Sequence, residues 1–385
     1  MVTRTQNKKI KYDISERVSQ KHNGIDRIFL TTVIMLVVIG LIMLFSASYP
    51  DANYREGDGL KYIRSQALFA LVGLIMMIVT ANIDYKIYKK MLKLILIVTF
   101  AALAVVYIMP ARQGARRWIS LGPLTVQPSE FAKFSVIVYC AAVFSTAKEK
   151  IKNLKYVFFS LLPVAGILLL VVLEPHLSAT IIMVSIVAVL LLVSGFPAKH
   201  LYWIVPIGLA LLAFLIFGED FRQGRFVAWL DPFDPAVYKG KGWQPAQCLY
   251  AIGSGGIFGL GFGNSRQKYM YVSEPQNDTI FAIVCEELGF VGAIAIIALF
   301  AYLVWRGIKI ALDAKDNFGA LLATGIIVLI GTQVFLNVAV VTNLVPNTGI
   351  SLPFFSSGGS ALVVLMAEMG IVLNVSSGGK PMFKK

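Results

Sequence analysis

The chain has 385 residues, of which 57% are hydrophobic and 15% are charged, and its formal net charge is +14. Soluble domains are about a quarter charged, so this composition excludes an ordinary soluble protein and indicates a multi-pass membrane protein. The three cysteines are widely spaced, which argues against a disulfide framework and against a structural zinc site.

Apolar runs long enough to cross a bilayer recur along the chain, since a hydrocarbon core about 30 Å thick needs roughly 20 apolar helical residues. The predicted fold is therefore an all-α polytopic membrane protein of about ten transmembrane helices. This transmembrane domain (27–375) lies between two tails (1–26 and 376–385), and its first run is too long for a signal-peptide core, so the N-terminal tail is expected to be retained. The ten runs lie near 27–47, 65–83, 91–109, 128–146, 157–173, 177–195, 201–218, 279–304, 319–341 and 356–375.

The lysines and arginines divide unevenly between the two sides of these helices. If both termini lie on one side, that side receives 22 of the 35 basic residues and the opposite side receives 12, with Lys133 inside a span. Because an excess of Lys and Arg marks the cytoplasmic face, both termini are predicted to be cytoplasmic. The basic tail is then a topology signal that also contacts anionic membrane lipids, and a nucleic-acid partner is not expected.

The longest outer connection, residues 219–277 between the seventh and eighth predicted helices, is rich in aromatic residues. Loops of this length are usually functional or disordered, and this composition is not that of a disordered segment. It favours a folded cap on the membrane surface, with an interfacial aromatic belt as the alternative. The glycine-rich run at 253–263 fits neither the dinucleotide-binding fingerprint nor the P-loop.

Ionisable residues inside apolar spans are costly and therefore point to function by default. Glu130 and Lys133 share a helix face, and two interpretations stay open: a self-neutralising pair that steadies the bundle, or a pair that faces a water-filled cleft open to the outside. Just outside lie Arg112, Arg116 and Arg117, which oppose the charge rule on this side. They indicate a bound anion, and phosphate is the natural candidate.

Asp278 opens the eighth predicted helix. Aspartate is a favoured helix cap, so a capping role is one interpretation. The second, compatible with the first, is a partly desolvated carboxylate that acts as general base for a sugar hydroxyl. Glu286 and Glu287 lie about 12 Å deeper along the helix and are expected to bridge helices. Gln333 and Asn337 are expected to form interhelical hydrogen bonds.

Several segments together are similar to one family. On them the chain resembles, over nearly its whole length, the shape, elongation, division and sporulation (SEDS) glycosyltransferases, which include FtsW, RodA and SpoVE, and it looks closest to the FtsW and SpoVE branch. The segments are Gly114–Gly122, Gln127–Lys133, Gln247–Gly256, Gly263–Tyr269, Glu274–Ile283, Glu286–Gly289, Pro346–Phe354 and Gly358–Ser360.

The resemblance implies an enzyme that polymerises lipid II into glycan strands at the outer face of the bacterial cytoplasmic membrane, in cell division or sporulation. It implies partnership with a class B penicillin-binding protein, a transpeptidase, and with other division or sporulation proteins. The essential aspartate of the family falls on Asp278. The substrate-binding residues that it implies are Arg116, Arg117, Trp118, Gln127, Ser129, Glu130, Lys133, Lys268, Glu274, Asn277, Ser356, Ser357 and Gly358.

The chain departs from the family pattern at three places. The turn Glu174–Ser178 reads Glu-Pro-His-Leu-Ser where the family usually has Gln-Pro-Asp-Leu-Gly, so a role for that family aspartate is in doubt at His176. Ser273 stands in place of a usual proline, and Ser357 stands in place of a common tyrosine. None of these departures removes Asp278.

The expected chemistry needs one carboxylate, because a base that activates the acceptor hydroxyl suffices for direct displacement of a pyrophosphate leaving group. No structurally bound cofactor is expected, although a divalent cation, Mg²⁺ or Mn²⁺, could be shared with the pyrophosphate. Two alternatives from other classes remain: a flippase for the lipid-linked precursor, and a non-catalytic divisome scaffold.

Overall fold

The computed structural model describes residues 24–110, 116–121, 124–174, 176–200, 202 and 220–382. The predicted N-terminal tail up to residue 23 and most of the predicted span at 201–218 lie outside these residues. The described helices are α1 (Arg27–Glu56), α2 (Lys61–Asn82), α3 (Lys86–Lys90), α4 (Leu92–Val106), α5 (Pro128–Ala147), α6 (Leu154–Ser160), α7 (Leu162–Leu173), α8 (Leu177–Val193), α9 (Asp220–Leu230), α10 (Pro235–Tyr238), α11 (Trp243–Gly255), α12 (Ile280–Leu312), α13 (Asn317–Val341) and α14 (Gly359–Ser376). Two 3₁₀ helices (Lys148–Lys152 and Ala198–His200) and one antiparallel hairpin, β1 (Ile119–Leu121) with β2 (Leu124–Val126), complete the list.

The all-α membrane fold is confirmed. Among the described residues, α1, α2, α5 with its 3₁₀ extension, α12, α13 and α14 are each long and apolar enough to cross a membrane. Helices α6 and α7 form one further candidate span bent by 51°, and α4 and α8 are shorter apolar helices. These helices lie at nine of the ten predicted runs. The predicted tight turn is also confirmed, since α7 ends at Leu173 and α8 begins at Leu177.

Helix α1 is longer than predicted, because it continues past residue 47 and past Pro50 to Glu56. Its 30 residues span about 45 Å, more than the hydrocarbon core of a bilayer, so its last turns extend beyond the membrane. Those turns contain an i,i+4 ion pair between Asp51 and Arg55, with 2.6 Å between Oδ1 and Nε. The helix ends where Gly57 adopts a left-handed conformation at φ 70°.

Helix α14 packs closely against α2 through small residues. A Cβ on Gly370 would lie 2.1 Å from Oγ1 of Thr80, so only glycine permits this approach. The Thr80 hydroxyl donates a hydrogen bond to the carbonyl of Ala367 across the interface. This contact fixes the position of α14, which carries Glu368 on the same turn.

Helix α12 is interrupted at Gly289, whose backbone has φ 67° and ψ −170°. The glycine-rich run packs its backbone against this break: a Cβ on Gly255 would lie 2.1 Å from the carbonyl oxygen of Cys285. Backbone bonds between the run and α12 then replace the helical bonds that the break removes. From the run, the N–H groups of Leu260 and Gly261 donate to the carbonyls of Glu286 (3.0 Å) and Glu287 (3.0 Å). From α12, the N–H groups of Phe290 and Val291 donate to the carbonyls of Gly256 (2.9 Å) and Ile257 (3.1 Å).

Candidate active site

Asp278 lies in the turn that precedes α12, two positions before its first residue, Ile280. The cap position belongs to Thr279, so the predicted capping role of Asp278 is wrong. The reason is that the turn continues through Thr279 before the helix begins. The side-chain amide of Asn337 donates to the backbone carbonyl of Asp278 (2.7 Å) and to that of Ile350 (2.7 Å), which ties the turn to α13. Asn337 therefore bonds loop backbone rather than the neighbouring helix that the sequence suggested.

The half-buried carboxylate of Asp278 is surrounded by polar groups of the outer segments. Gln244 forms a hydrogen bond with it, and the charges of Arg225 and Glu274 act on it. Gln244 also accepts from the side chain of Asn347 (3.0 Å), whose backbone carbonyl accepts from Arg225 (3.1 Å). Asp278 is therefore held within a network that joins α9, α11 and the segment after α13.

Burial raises the pKa of Asp278 to about 6, and the charge of Glu274 acts in the same direction. The positive charge of Arg225 and the hydrogen bond from Gln244 lower the pKa. A carboxylate with a pKa near 6 is ionised at neutral pH and is a stronger base than an ordinary aspartate. Asp278 therefore suits proton abstraction from a hydroxyl.

A narrow cleft of about 30 Å³, here called the polar cleft, lies between α5, α13 and α14. Its polar lining contains Glu130, Gln333, Ser351, Ser356 and Glu368. Gln333 thus lines the polar cleft, where the sequence suggested an interhelical hydrogen bond. The fully buried Lys133 binds Glu130 with 2.8 Å between Nζ and Oε2. The predicted pair exists, and its carboxylate also faces the cleft.

The segment after α13 joins the polar cleft to the turn that carries Asp278. The hydroxyl of Ser356 donates to the carbonyl of Asn277 (2.7 Å), and the N–H of Ser357 donates to the carbonyl of Gln276 (2.8 Å). The N–H of Gly358 donates to the side chain of Gln66 on α2 (3.3 Å). Thus Ser356, Ser357, Gly358 and Asn277, predicted from separate motifs, converge beside Asp278. Within the turn, the side chain of Asn277 donates to Glu274 (2.7 Å).

The first outer connection contributes two described basic residues, Arg116 and Arg117, here called the outer rim. The exposed Arg116 donates to the carbonyl of Tyr107 (2.9 Å), and Arg117 donates from Nε to the carbonyl of Glu174 (3.1 Å). Trp118 is half-buried immediately before β1. The third predicted arginine, Arg112, lies outside the described residues. Both described guanidinium groups are therefore anchored to backbone of the outer turns.

His176, which stands where the family usually has aspartate, contacts two predicted site residues. Its Nδ1 lies 3.1 Å from the hydroxyl of Ser129 and 3.5 Å from Nε2 of Gln127. Burial lowers the pKa of His176 to about 3, and the charges of Arg117 and Lys133 act in the same direction. A neutral imidazole therefore holds the start of α5.

Lys268 does not join this group. Its buried Nζ donates to Glu287 (2.8 Å), to the hydroxyl of Ser46 (3.0 Å) and to the carbonyl of Gly263 (2.7 Å). An ammonium has three donors, and all three are used here. We therefore correct the predicted substrate contact of Lys268 to a structural role.

The adjacent acids of α12 hold different partners. Glu287 accepts from Ser46 on α1 (2.7 Å), which bridges two helices as predicted. Glu286 accepts from the hydroxyl of Ser254 on α11 (3.3 Å), which also joins two helices as predicted. It accepts in addition from the backbone N–H of Arg266 (2.9 Å) and from the hydroxyl of Ser265, so it binds the outer loop as well. Sequence reasoning missed this loop contact, because spacing along a helix does not reveal which loop will reach it.

Two further neighbours of Asp278, Gln244 and Arg225, were also missed. Arg225 is another basic residue on the predicted outer side, and that signal could have placed it with Arg116 and Arg117. Gln244 carries no comparable signal in the sequence. No group of three or more His, Cys, Asp and Glu side chains within the described residues has the arrangement of a metal site.

Proteins of one family are similar to this chain in sequence. Residues 26–380 match the family described as "Cell cycle protein", which comprises FtsW, RodA and SpoVE. The chain is 40% identical to stage V sporulation protein E of Bacillus subtilis (strain 168) over 366 residues, which are 93% of this chain and 99% of that relative. It is 36% identical to the probable peptidoglycan glycosyltransferase FtsW of Geobacter sp. (strain M18) over 359 residues, 92% of this chain and 97% of the relative.

Solved structures share the fold. A chain of a peptidoglycan synthase complex, described as coordinating polymerization and crosslinking, matches with a TM-score of 0.74 at 25% identity and covers 91% of this chain and 97% of its own. The rod shape determining protein RodA of Thermus thermophilus matches with a TM-score of 0.65 at 26% identity, over 91% of this chain and 96% of its own. Sequence, fold and helix composition agree: this multi-pass membrane protein belongs to the FtsW, RodA and SpoVE family.

Proposed function

We propose that this protein polymerises lipid II into glycan strands at the outer face of the bacterial cytoplasmic membrane, in cell division or sporulation, with Asp278 as general base. The family supplies the reaction class, since relatives are named probable peptidoglycan glycosyltransferase. Those names favour an enzyme over a flippase or a scaffold. The observation that carries the role of Asp278 is a carboxylate with a pKa near 6 in a turn bonded to the polar cleft.

The proposed reaction is a direct displacement. The 4-hydroxyl of an acceptor GlcNAc attacks the anomeric carbon of a MurNAc, the bond to undecaprenyl pyrophosphate breaks, and the hydroxyl proton passes to Asp278. One carboxylate suffices because the pyrophosphate leaves without protonation by a second acid. The pKa of Asp278 leaves the side chain ionised and ready to accept the proton at neutral pH.

Charge development on the leaving pyrophosphate requires compensation by positive groups. Arg116 and Arg117 at the outer rim supply guanidinium groups, whose paired donors match phosphate oxygens. Lys133 supplies an ammonium beside the polar cleft. A divalent cation, when bound, would add to this neutralisation.

A transpeptidase partner is the second part of the proposal. A class B penicillin-binding protein would crosslink the strands that this protein makes, and other division or sporulation proteins would place the pair at its site of action. The fold match to a peptidoglycan synthase complex supports such a partnership.

The test compares purified full-length protein with an Asp278→Asn variant in a lipid II polymerisation assay, with the class B partner present and product length read on a gel. Loss of a general base lowers rates by about 10²–10⁴-fold, so glycan strands should disappear while partner binding persists. Asp58→Asn is the matched control, since this exposed aspartate pairs with Arg64 on the same predicted side. Polymerisation by Asp278→Asn at the wild-type rate would refute the assignment.

A further inference from the structure

Glu368 has no role in the reaction described above, yet its environment is unusual. It lies in the interior of α14 with 2% of its surface exposed, and among the described residues neither carboxylate oxygen has a hydrogen-bond partner. A buried carboxylate without partners is costly, and inside a membrane bundle such a group marks an ion or substrate pathway. Its surroundings should therefore hold a ligand.

The surroundings of Glu368 contain more carboxyl groups than cationic groups. Glu368 lines the polar cleft together with Glu130, and Lys133 lies within electrostatic range of both carboxylates. Lys133 binds one oxygen of Glu130, and Glu368 has no direct partner in the described part of the chain. Two carboxyl groups then face one ammonium, and a cation bound in the cleft would supply the partner that Glu368 lacks.

The size of the polar cleft limits what that cation can be. Its volume is about 30 Å³, and one water needs at least 10–15 Å³. The cleft has room for a metal ion with one or two waters, and a sugar ring is excluded. An organic ammonium with its carbon substituents is excluded for the same reason.

The donor atoms then select the type of metal. Besides the two carboxylates, the polar lining offers the amide oxygen of Gln333 and the hydroxyls of Ser351 and Ser356. Such oxygen donors suit hard cations such as Mg²⁺ and Mn²⁺. Mg²⁺ usually binds to one or two carboxylates, several waters and a substrate phosphate, so a pair of acids is sufficient.

We propose that Glu130 and Glu368 hold a divalent cation, Mg²⁺ or Mn²⁺, in the polar cleft beside Lys133. The cleft is coupled to the base, because Ser356 lines it and donates to the carbonyl of Asn277, the residue before Asp278. Binding of the cation does not depend on the reaction. Its use in neutralising a pyrophosphate rests on the proposed function.

The site predicts opposite effects for two substitutions. Glu368→Gln removes a ligand charge and should weaken Mn²⁺ binding at least tenfold. Lys133→Met removes a like charge and a competitor for Glu130, so it should tighten Mn²⁺ binding at least threefold. A residue with a purely structural role would not produce tightening.

The experiment titrates Mn²⁺ into full-length protein in nanodiscs of zwitterionic lipid, without lipid II, and measures unbound Mn²⁺ by electron paramagnetic resonance. Excess Mg²⁺ should displace the bound ion. The matched control is Glu174→Gln, since Glu174 is also buried with both oxygens unpartnered among the described residues but lies in the turn between α7 and α8. Wild-type affinity in this control, with the two opposite shifts above, supports the site.

Wild-type Mn²⁺ affinity in folded Glu368→Gln protein would overturn the proposal, as would equal losses in Glu368→Gln and Glu174→Gln. Thermal unfolding identifies variants that fail to fold. If Glu368→Gln is one of them, Lys133→Met decides the question: tighter Mn²⁺ binding supports the site, and unchanged or weaker binding contradicts it. The two proposals fail separately. Polymerisation that persists in a Glu368→Gln variant without bound Mn²⁺ removes the cation from the reaction, whereas active Asp278→Asn protein with normal Mn²⁺ binding refutes only the base.

Discussion

The two ends of the helix bundle treat their polar groups differently. At the end where α1 begins and α14 ends, here called the terminal end, polar side chains bind one another directly. Asp26 pairs with Arg306 at 2.7 Å and caps α1, and the hydroxyl of Tyr85 donates to Asp316 at 2.8 Å. These contacts join helices that are distant in sequence and leave their own polar atoms satisfied.

The opposite end, here called the cleft end, contains buried polar atoms without partners. In the part of the chain that the structure describes, such side-chain atoms belong to Ser48, Glu174, Gln267, Gln276, Asn337, Thr348, Ser360 and Glu368. Buried polar groups normally have a partner, so a concentration of exceptions marks a surface arranged for a ligand. The comparison teaches that the terminal end fastens the bundle, whereas the cleft end keeps polar groups of the described residues free, as the proposed substrate and cation sites require.

Substitution of Lys268 should have the largest effect on stability. This residue lies at the cleft end, yet all three of its N–H donors are used in hydrogen bonds. Lys268→Met leaves the buried Glu287 without its cation and should lower the free energy of unfolding by about 3–5 kcal/mol. Unfolding of detergent-solubilised protein by denaturant measures this. The double variant with Glu287→Gln should recover part of the loss, since the uncompensated charge is gone. Unchanged stability of Lys268→Met together with a raised KM for lipid II would instead support the substrate contact that the sequence predicted for Lys268.

The dependence of the polymerisation rate on pH tests the base at the cleft end. A pKa of about 6 means that Asp278 loses its charge as pH falls below 6, so the rate should drop about tenfold per pH unit there. The charge of Glu274 raises this pKa and that of Arg225 lowers it. Glu274→Gln should therefore move the acid limb to lower pH and Arg225→Gln to higher pH. Limbs that coincide in all three proteins would exclude Asp278 as the titrating group.

At the terminal end, substitution should affect stability and spare catalysis. Asp26→Ala removes the cap of α1, where Asp26 accepts from the N–H of Phe29 at 2.9 Å, together with the partner of Arg306. Loss of a helix cap costs about 1 kcal/mol. Thermal unfolding should detect the change, while the polymerisation rate per folded molecule stays at the wild-type value. A large loss of that rate without destabilisation would show that the two ends do not divide their roles.

The sequence predicts the helices well because bilayer thickness imposes their length and apolar character. The end of α1 escapes prediction because the helix continues beyond the apolar run that ends near residue 47 and tolerates Pro50 in its interior, although proline usually ends or kinks a helix. The break at Gly289 escapes for another reason: it is stabilised by backbone bonds to the glycine-rich run, and periodicity within one helix does not record them. Long-range backbone contacts therefore mark the limit of sequence reasoning for the fold.

The candidate site divides in the same way. Glu130 and Lys133 are predictable as a pair because i,i+3 spacing places them on one helix face. Lys268 is not, because a lysine in a loop gives no sign of whether it will meet a buried acid or a substrate. Glu368 is visible in the sequence as a charge within a span, but its lack of a partner emerges only when α5, α13 and α14 pack together.

The outer rim of the cleft end should respond most weakly. Arg116 is exposed, so its contact with an anion is screened by water, and Arg116→Gln should raise the KM for lipid II by about three- to tenfold with little change in kcat. Higher salt should raise the KM of wild-type protein more than that of the variant, because screening acts on a charge that the variant lacks. Arg64→Gln, which breaks an exposed pair with Asp58, is the control and should leave KM unchanged. A fall in kcat with constant KM would place Arg116 at the transition state, and the rim would then belong to the catalytic machinery with Asp278.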